Sequence, residues 1–147
     1  MVVEGLVNHT DDFASWDHPL DWYPRVVEQV LEPLRHNQMA HFQKFDWQAN
    51  RLGQWEAVKS CSVVIMEGVS SSRSEFCHYL NFLIYIETDR ELRLKHGIER
   101  DGEEILPLWQ EWMAEEDEYV LRDQPQKYAD LVLSGNTKGM LRISSSF

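Results

Sequence analysis

Three carboxylates, a histidine, a tryptophan and a phenylalanine fall within residues 10–19, TDDFASWDHP. A further carboxylate, Glu67, closes the apolar run CSVVIMEGV. An acid at the end of a buried apolar strand can hold a magnesium ion, directly or through water, beside a phosphate. A second acid at a neighbouring strand end can take the proton from a hydroxyl nucleophile, and either Asp11 or Asp12 fits. Arginines on a mobile helix can close over a transferring phosphoryl group and neutralise its charge. Arg90, Arg93, Lys95 and Arg100 lie on one such polar, helix-prone segment. Together these are the parts of a phosphoryl-transfer site.

Elements must bring these residues together. EGLVNH reads as a short strand running into the acidic stretch. Residues 21–34 read as a helix, with Trp22, Val26, Val27, Val30, Leu31 and Leu34 on one face, Asp21 as cap and Pro24 in the first turn. MAHFQKFDW alternates loosely and reads as extended. CSVVIMEGV and LNFLIYIET are continuous apolar runs, the pattern of strands buried on both faces of a parallel sheet. Between them SSSRSEFCHYL reads as a short helix. Residues 89–99 read as a polar helix that RDGEE breaks. Ile105, Leu108, Trp109, Trp112, Met113, Tyr119 and Val120 mark a long amphipathic helix, whose EEDE at 115–118 reads as its wet face. ADLVLSG is a last strand, and NTKGMLRISSSF could add a ragged one. The alternation of strands and helices gives an α/β fold with a mostly parallel sheet. Ligands of such sheets sit at the carboxyl ends of the strands, which places Asp11, Asp12 and Glu67 together.

The 147 residues suit one domain with a real core, and six tryptophans favour folding over disorder. A formal charge of −11 opposes electrostatic capture of nucleic acid or an anionic membrane, though not of a small anion held by local arginines. Cys61 and Cys77 lack ligand-like spacing, and Cys61 reads as a buried free thiol in a reducing compartment. With no secretory leader and no apolar run long enough to span a bilayer, a soluble cytoplasmic protein is expected.

In order along the chain, six stretches resemble the uridine kinase family of P-loop kinases, the uridine–cytidine kinases and their bacterial relatives. DDF at Asp11 resembles the family's Asp-x-Phe, WDHP its aromatic-Asp-His-Pro segment, and FDW at residues 45–47 its Tyr-Asp-Phe segment. VVIMEGV resembles its acidic-Gly strand end, ETDRELRLKHGIERD its lid helix, and KYADLVLSG its closing Tyr-Ala-Asp strand. The resemblance implies a three-layer P-loop-kinase sandwich and transfer of the ATP γ-phosphate to the 5′-hydroxyl of a pyrimidine nucleoside, with Mg2+. Asp11 would then be the catalytic base and Asp17 would bind the ribose. Phe45, Asp46 and Trp47 would form the substrate side, with the two rings flanking the pyrimidine. Glu67 would support the metal through water, and Arg93 and Arg100 would serve a lid at residues 89–104.

The chain departs from the family's pattern at its ATP site. The sequence G-x-x-x-x-G-K-[ST], whose backbone N–H groups and lysine hold the ATP phosphates, begins at none of the seven glycines. GNTKGM has the wrong spacing. The expectation is a truncated fold without the first strand, P-loop and first helix, in which ATP binding is weak and activity is low or absent. MVVEG could be a stub of the first strand or part of the second. The family's first strand lies between those read here at 62–66 and 82–86. Its loss would leave unpaired edges, which MVVEGLV could fill, a second copy of the chain could cover, or a longer native chain would complete. His96 stands where relatives place another arginine, and Asn50 where many place a histidine near the base. A non-catalytic nucleoside-binding or interaction module is the alternative reading. The acids could also be turn caps, the rings core residues, and Arg93 and Arg100 partners of Glu91, Glu99 or Asp101.

Overall fold

The structure, a computed structural model, describes residues 5–136. These fall into two compact units, one ending at Ser71 and the other starting at Ser72. The fold is α/β, as the alternation of strands and helices requires.

In the first unit, β1 (Gly5–His9) pairs in parallel with β4 (Val63–Glu67), and β2 (Ala40–Asp46) pairs antiparallel with β3 (Arg51–Val58). One helical stretch, residues 23–35, packs beside them. It runs as α1 (Tyr23–Val26), a π-helical stretch (Val27–Leu31) and α2 (Glu32–Arg35). The widened turn precedes Pro33, which can donate no bond to the carbonyl four residues back. It also lets Val26, Val30 and Leu31 all reach the core, with Trp22, Ala40, Phe42 and Phe13. Pro24 sits in the first turn, as read from the sequence. Asp21 does not cap the helix: the cap position is Trp22, and no side chain bonds there. Trp22 instead donates its indole N–H to the Pro19 carbonyl at 2.9 Å.

Strand β3 was not legible as a strand, because RLGQWEAV mixes charged, polar and apolar positions. Its signal lies in the turn before it. Asp46 Oδ1 accepts the main-chain N–H of Gln48 and Ala49 at 3.1 and 2.9 Å, and Asn50 adopts φ 48°. Asp and Asn at those positions are the residues such turns favour.

In the second unit, β5 (Ile84–Glu87) pairs in parallel with β6 (Leu131–Ser134). Asp130 starts this ladder, taking the Leu83 N–H on its carboxylate at 2.8 Å while its own N–H bonds the Leu83 carbonyl at 2.9 Å. Helix α3 (Arg90–Asp101) ends at Gly102, whose φ of 101° favours glycine. Helix α4 (Leu106–Asp123) ends where Gln124 turns left-handed, and α5 (Pro125–Tyr128) follows. Trp112, Met113 and Tyr119 face the core with Phe76 and Leu133. Gly97 allows α3 to approach α4, since a Cβ there would overlap the Trp109 ring.

Three expectations are corrected. The runs read as doubly buried are exposed: Val63, Val64 and Ile65 on β4, and Phe82, Ile84 and Ile86 on or beside β5. Each strand has one neighbour among the described residues, and a parallel pair buries both faces only when further layers cover it. SSSRSEFCHYL forms only a 3-10 turn, Ser74–Phe76, consistent with serines that compete for their own backbone. Cys61 is half-buried rather than buried, with its Sγ against the Val63 carbonyl at 3.1 Å. The ragged strand expected in the tail falls on residues 137–147, outside the described residues, as does most of MVVEG.

Within the second unit Arg73 is buried and pairs with Glu75 through Nε and Nη2 at 2.9 and 3.2 Å. That hydrogen bond holds the Glu75 carboxyl down at about 2. A depressed carboxyl stabilises the fold above its unfolded value, and the contribution disappears as pH falls toward the folded one. Glu75→Gln should therefore cost about 2 kcal/mol at pH 7, below the ~3–5 kcal/mol of a fully buried pair because Glu75 is partly exposed. The gap between the unfolding midpoints of wild type and variant should close between pH 4.5 and about 2, followed by circular dichroism.

Candidate active site

The site is built where β1 and β4 end. Their register pairs His9 with Glu67, and the imidazole Nδ1 contacts the Glu67 carboxylate. The chain then leaves β4 through Gly68 at φ 120°, where a Cβ would collide with the Thr10 hydroxyl. Only glycine satisfies both the angle and the approach, which explains the Glu-Gly strand end. Thr10 is buried beneath it and opens the 3-10 turn Thr10–Asp12, whose carbonyl accepts Phe13 and Ala14 N–H at 2.9 and 3.1 Å.

Phe13 anchors the far side of that turn. It stacks on Phe42 at 5.1 Å and lies under the Arg25 guanidinium at 5.4 Å. Arg25 also donates to the carbonyls of Phe13 and Gln43, at 3.3 and 2.6 Å, so one cation ties the turn to β2. Burial lowers the Arg25 pKa from its usual value.

With the core residue Phe13 fixed, Asp11 is exposed and Asp12 half-exposed. Lys44 on β2 reaches Asp12 at 3.3 Å and Glu56 at 3.6 Å. Trp47 donates its indole N–H to the Asp11 main-chain carbonyl at 3.0 Å. Its ring packs edge-on against Trp16 at 5.6 Å and Phe45 at 5.3 Å. Asp17 is exposed next to Trp16, on the tight Ser15–His18 turn closed by the His18 N–H on Ser15 Oγ at 3.1 Å. The geometry thus gathers Asp11, Glu67, Phe45 and Trp47 around the ends of β1, β4 and β2, with Asp17 beside them through Trp16.

Two placements qualify the roles read from the sequence. Phe45 and Trp47 touch each other, so a flat ligand would lie on their outer surface, not between them. Asp46 spends Oδ1 on the turn that follows it. Sequence reasoning missed His9, Lys44 and Trp16. The pairing of a histidine and a glutamate five residues into two parallel strands carries no local signal.

The arginines lie in the second unit, where each has a carboxylate. Arg93 pairs with Glu116, and Arg90 with Asp117 at 2.8 Å. Arg100 forks onto Asp101 at 2.8 and 2.9 Å and lies over the Trp109 ring, whose N–H reaches the same carboxylate at 3.1 Å. Burial raises the Glu116 carboxyl, with Arg93 opposing it. The Arg100 hydrogen bond lowers Asp101. Residues 115–118 are therefore not simply a wet face, because Glu116 and Asp117 hold the α3 arginines.

Among the described residues no three His, Cys, Asp or Glu side chains gather to hold a metal. Glu67 is a single hard oxygen donor, already facing His9. It fits a magnesium ion that brings most of its shell as water and substrate phosphate. No described helix is long and apolar enough to cross a membrane.

No family model matches the chain. It is 26% identical over 128 residues to uridine kinase-like protein 4 of Arabidopsis thaliana, covering 81% of this chain and 27% of that protein. Uridine kinase-like protein 5 of the same plant is 27% identical with the same coverage. The uridine kinase of Halobacterium salinarum is 27% identical over 90 residues, 60% of this chain and 40% of the relative. The chain thus spans between about a quarter and two fifths of these relatives' lengths. A solved possible uridine kinase from Bacillus stearothermophilus superposes with a TM-score of 0.62 at 17% identity, covering 88% of this chain and 72% of that one. The fold is that of P-loop kinases. The chain is thus similar to uridine kinases and uridine kinase-like proteins in sequence and shares the fold of the solved one.

Gly68→Ala should destabilise the first unit by roughly 3 kcal/mol, combining left-handed strain with displacement of Thr10. Urea unfolding followed by tryptophan fluorescence checks this.

Proposed function

We propose that the chain carries the nucleoside side of a uridine-kinase-like phosphotransferase acting on the 5′-hydroxyl of a pyrimidine nucleoside. The observation that carries the reading is the convergence of Asp11, Glu67 and the Phe45–Trp47 pair at one rim, with Trp47 bonded to Asp11. In this reading a base lies against the aromatic pair and Asp17 takes sugar hydroxyls. Asp11 accepts the proton of the hydroxyl as it attacks. Glu67 would hold a Mg2+ ion through water, and the ion, when bound, would neutralise phosphate charge. Within the second unit, Arg93 and Arg100 would each be able to trade a carboxylate for a phosphate oxygen.

A second reading, a nucleoside-binding module without turnover, is favoured by the sequence itself: the Walker pattern occurs nowhere in these 147 residues. Most direct contacts to ATP phosphates in P-loop enzymes come from that loop.

Uridine with Mg-ATP, followed by ADP release, tests both. Uridine-dependent turnover that falls at least about 100-fold in Asp11→Asn supports the kinase reading. A rise in unfolding temperature with uridine but no turnover supports the module. Neither binding nor turnover overturns both.

A further inference from the structure

The geometry points to Trp47 as a positioning residue that couples the aromatic patch to Asp11. Its indole serves two neighbours at once. The N–H donates to the Asp11 carbonyl at 3.0 Å, while the ring meets Trp16 at 5.6 Å and Phe45 at 5.3 Å. Trp47 is 37% exposed, so part of the patch is open to a flat ligand.

The support behind Trp47 is held by several bonds. It follows the last residue of β2, and Asp46 locks the turn it opens by accepting two main-chain N–H groups. Lys44, on the same strand, pairs with Asp12 at 3.3 Å. The hairpin therefore grips the acidic turn at two successive residues, by main chain at Asp11 and by side chain at Asp12. Arg25 adds a third tie, bonding Phe13 and Gln43 through their carbonyls. A ring settling on the patch shifts or fixes the indole, and the indole carries that to the Asp11 backbone. Phenylalanine at this position would preserve the stacking surface and lose the donor, so ring and tether can be separated. The ligand half of this inference rests on the nucleoside reading above, whereas the tether half does not.

Amide exchange by nuclear magnetic resonance on the full chain tests the tether without ligand. In Trp47→Phe the Phe13 and Ala14 amides, which close the acidic turn, should exchange about five-fold faster, the worth of one ordinary hydrogen bond. Unchanged exchange would overturn the tether. Should the variant not fold, the wild-type indole N–H decides: slow exchange supports the bond, and exchange as fast as free indole refutes it. Uridine then tests the coupling. In wild type the Trp47 indole and Asp11 amide resonances should shift along one binding curve. In Trp47→Phe, at uridine concentrations that saturate whatever affinity the variant keeps, the Asp11 shift should fall below about a third of the wild-type value. An equal Asp11 shift in the variant defeats the coupling. No uridine shift in wild type defeats the nucleoside reading, and ligand-free exchange still decides the tether.

Discussion

Everything at the candidate site depends on the close passage of Gly68 over Thr10. The parallel register of β1 and β4 delivers His9 and Glu67 to the same level. Because position 68 has no Cβ, the chain can turn away at φ 120° directly above a buried threonine. That threonine begins the acidic turn, so the end of β4 and the start of the Asp11–Asp12 segment are one packed object. Had the passage been wider, Asp11 would belong to a loose loop. Instead its carbonyl is close enough to a fixed hairpin to accept the Trp47 indole. On the proposed reading, in which Asp11 would take a hydroxyl proton, such placement would help, since orientation is a large part of what a catalytic group contributes.

The strands that frame this point are unlike in composition. β3 mixes Trp55 with Glu56, Gln54 and Arg51, and suits a ribbon wet on one side. β4 is apolar at Val63, Val64, Ile65 and Met66, and no charge or proline interrupts it. Such a strand fits the interior of a layered parallel sheet, yet three of those four side chains are exposed. Composition and exposure disagree here because composition records the sheet a strand suits, while exposure records the neighbours it has. Among the described residues β4 has one neighbour, and an uncharged edge of that kind is a template that soluble proteins avoid presenting.

The framework was legible where periodicity or punctuation is strong. The amphipathic helices, Pro24 in its first turn, Gly102 at a helix end and both apolar strands followed from the sequence. The positions of Asp11 and Glu67 at or just beyond strand ends were also foreseeable, because apolar runs give way to acidic residues there. The rest depended on long-range pairing. His9 meets Glu67 across 58 residues, and Trp47 meets Asp11 across 36. Nothing local to either residue announces its partner. β3 was hidden because its alternation is broken, and the π-helical stretch because a one-residue widening leaves the apolar spacing nearly unchanged.

The second unit shows how the same residue types can be satisfied without a ligand. Arg93 and Arg100 were read as phosphate-facing, and both are paired with carboxylates. This does not remove them from phosphate chemistry, because a guanidinium exchanges one oxyanion for another with little change in geometry. What differs is the partner left behind. Asp101 is 25% exposed against 16% for Glu116, and it keeps the Trp109 N–H, so releasing Arg100 leaves a carboxylate that still has a donor. Glu116 is mostly buried, and its raised pKa reflects a carboxylate that already resists ionisation. Losing Arg93 would push it further toward the protonated form. Release of Arg93 therefore costs more than release of Arg100 and is eased at lower pH. Of the two arginines, Arg100 is the readier to leave its carboxylate for a phosphate.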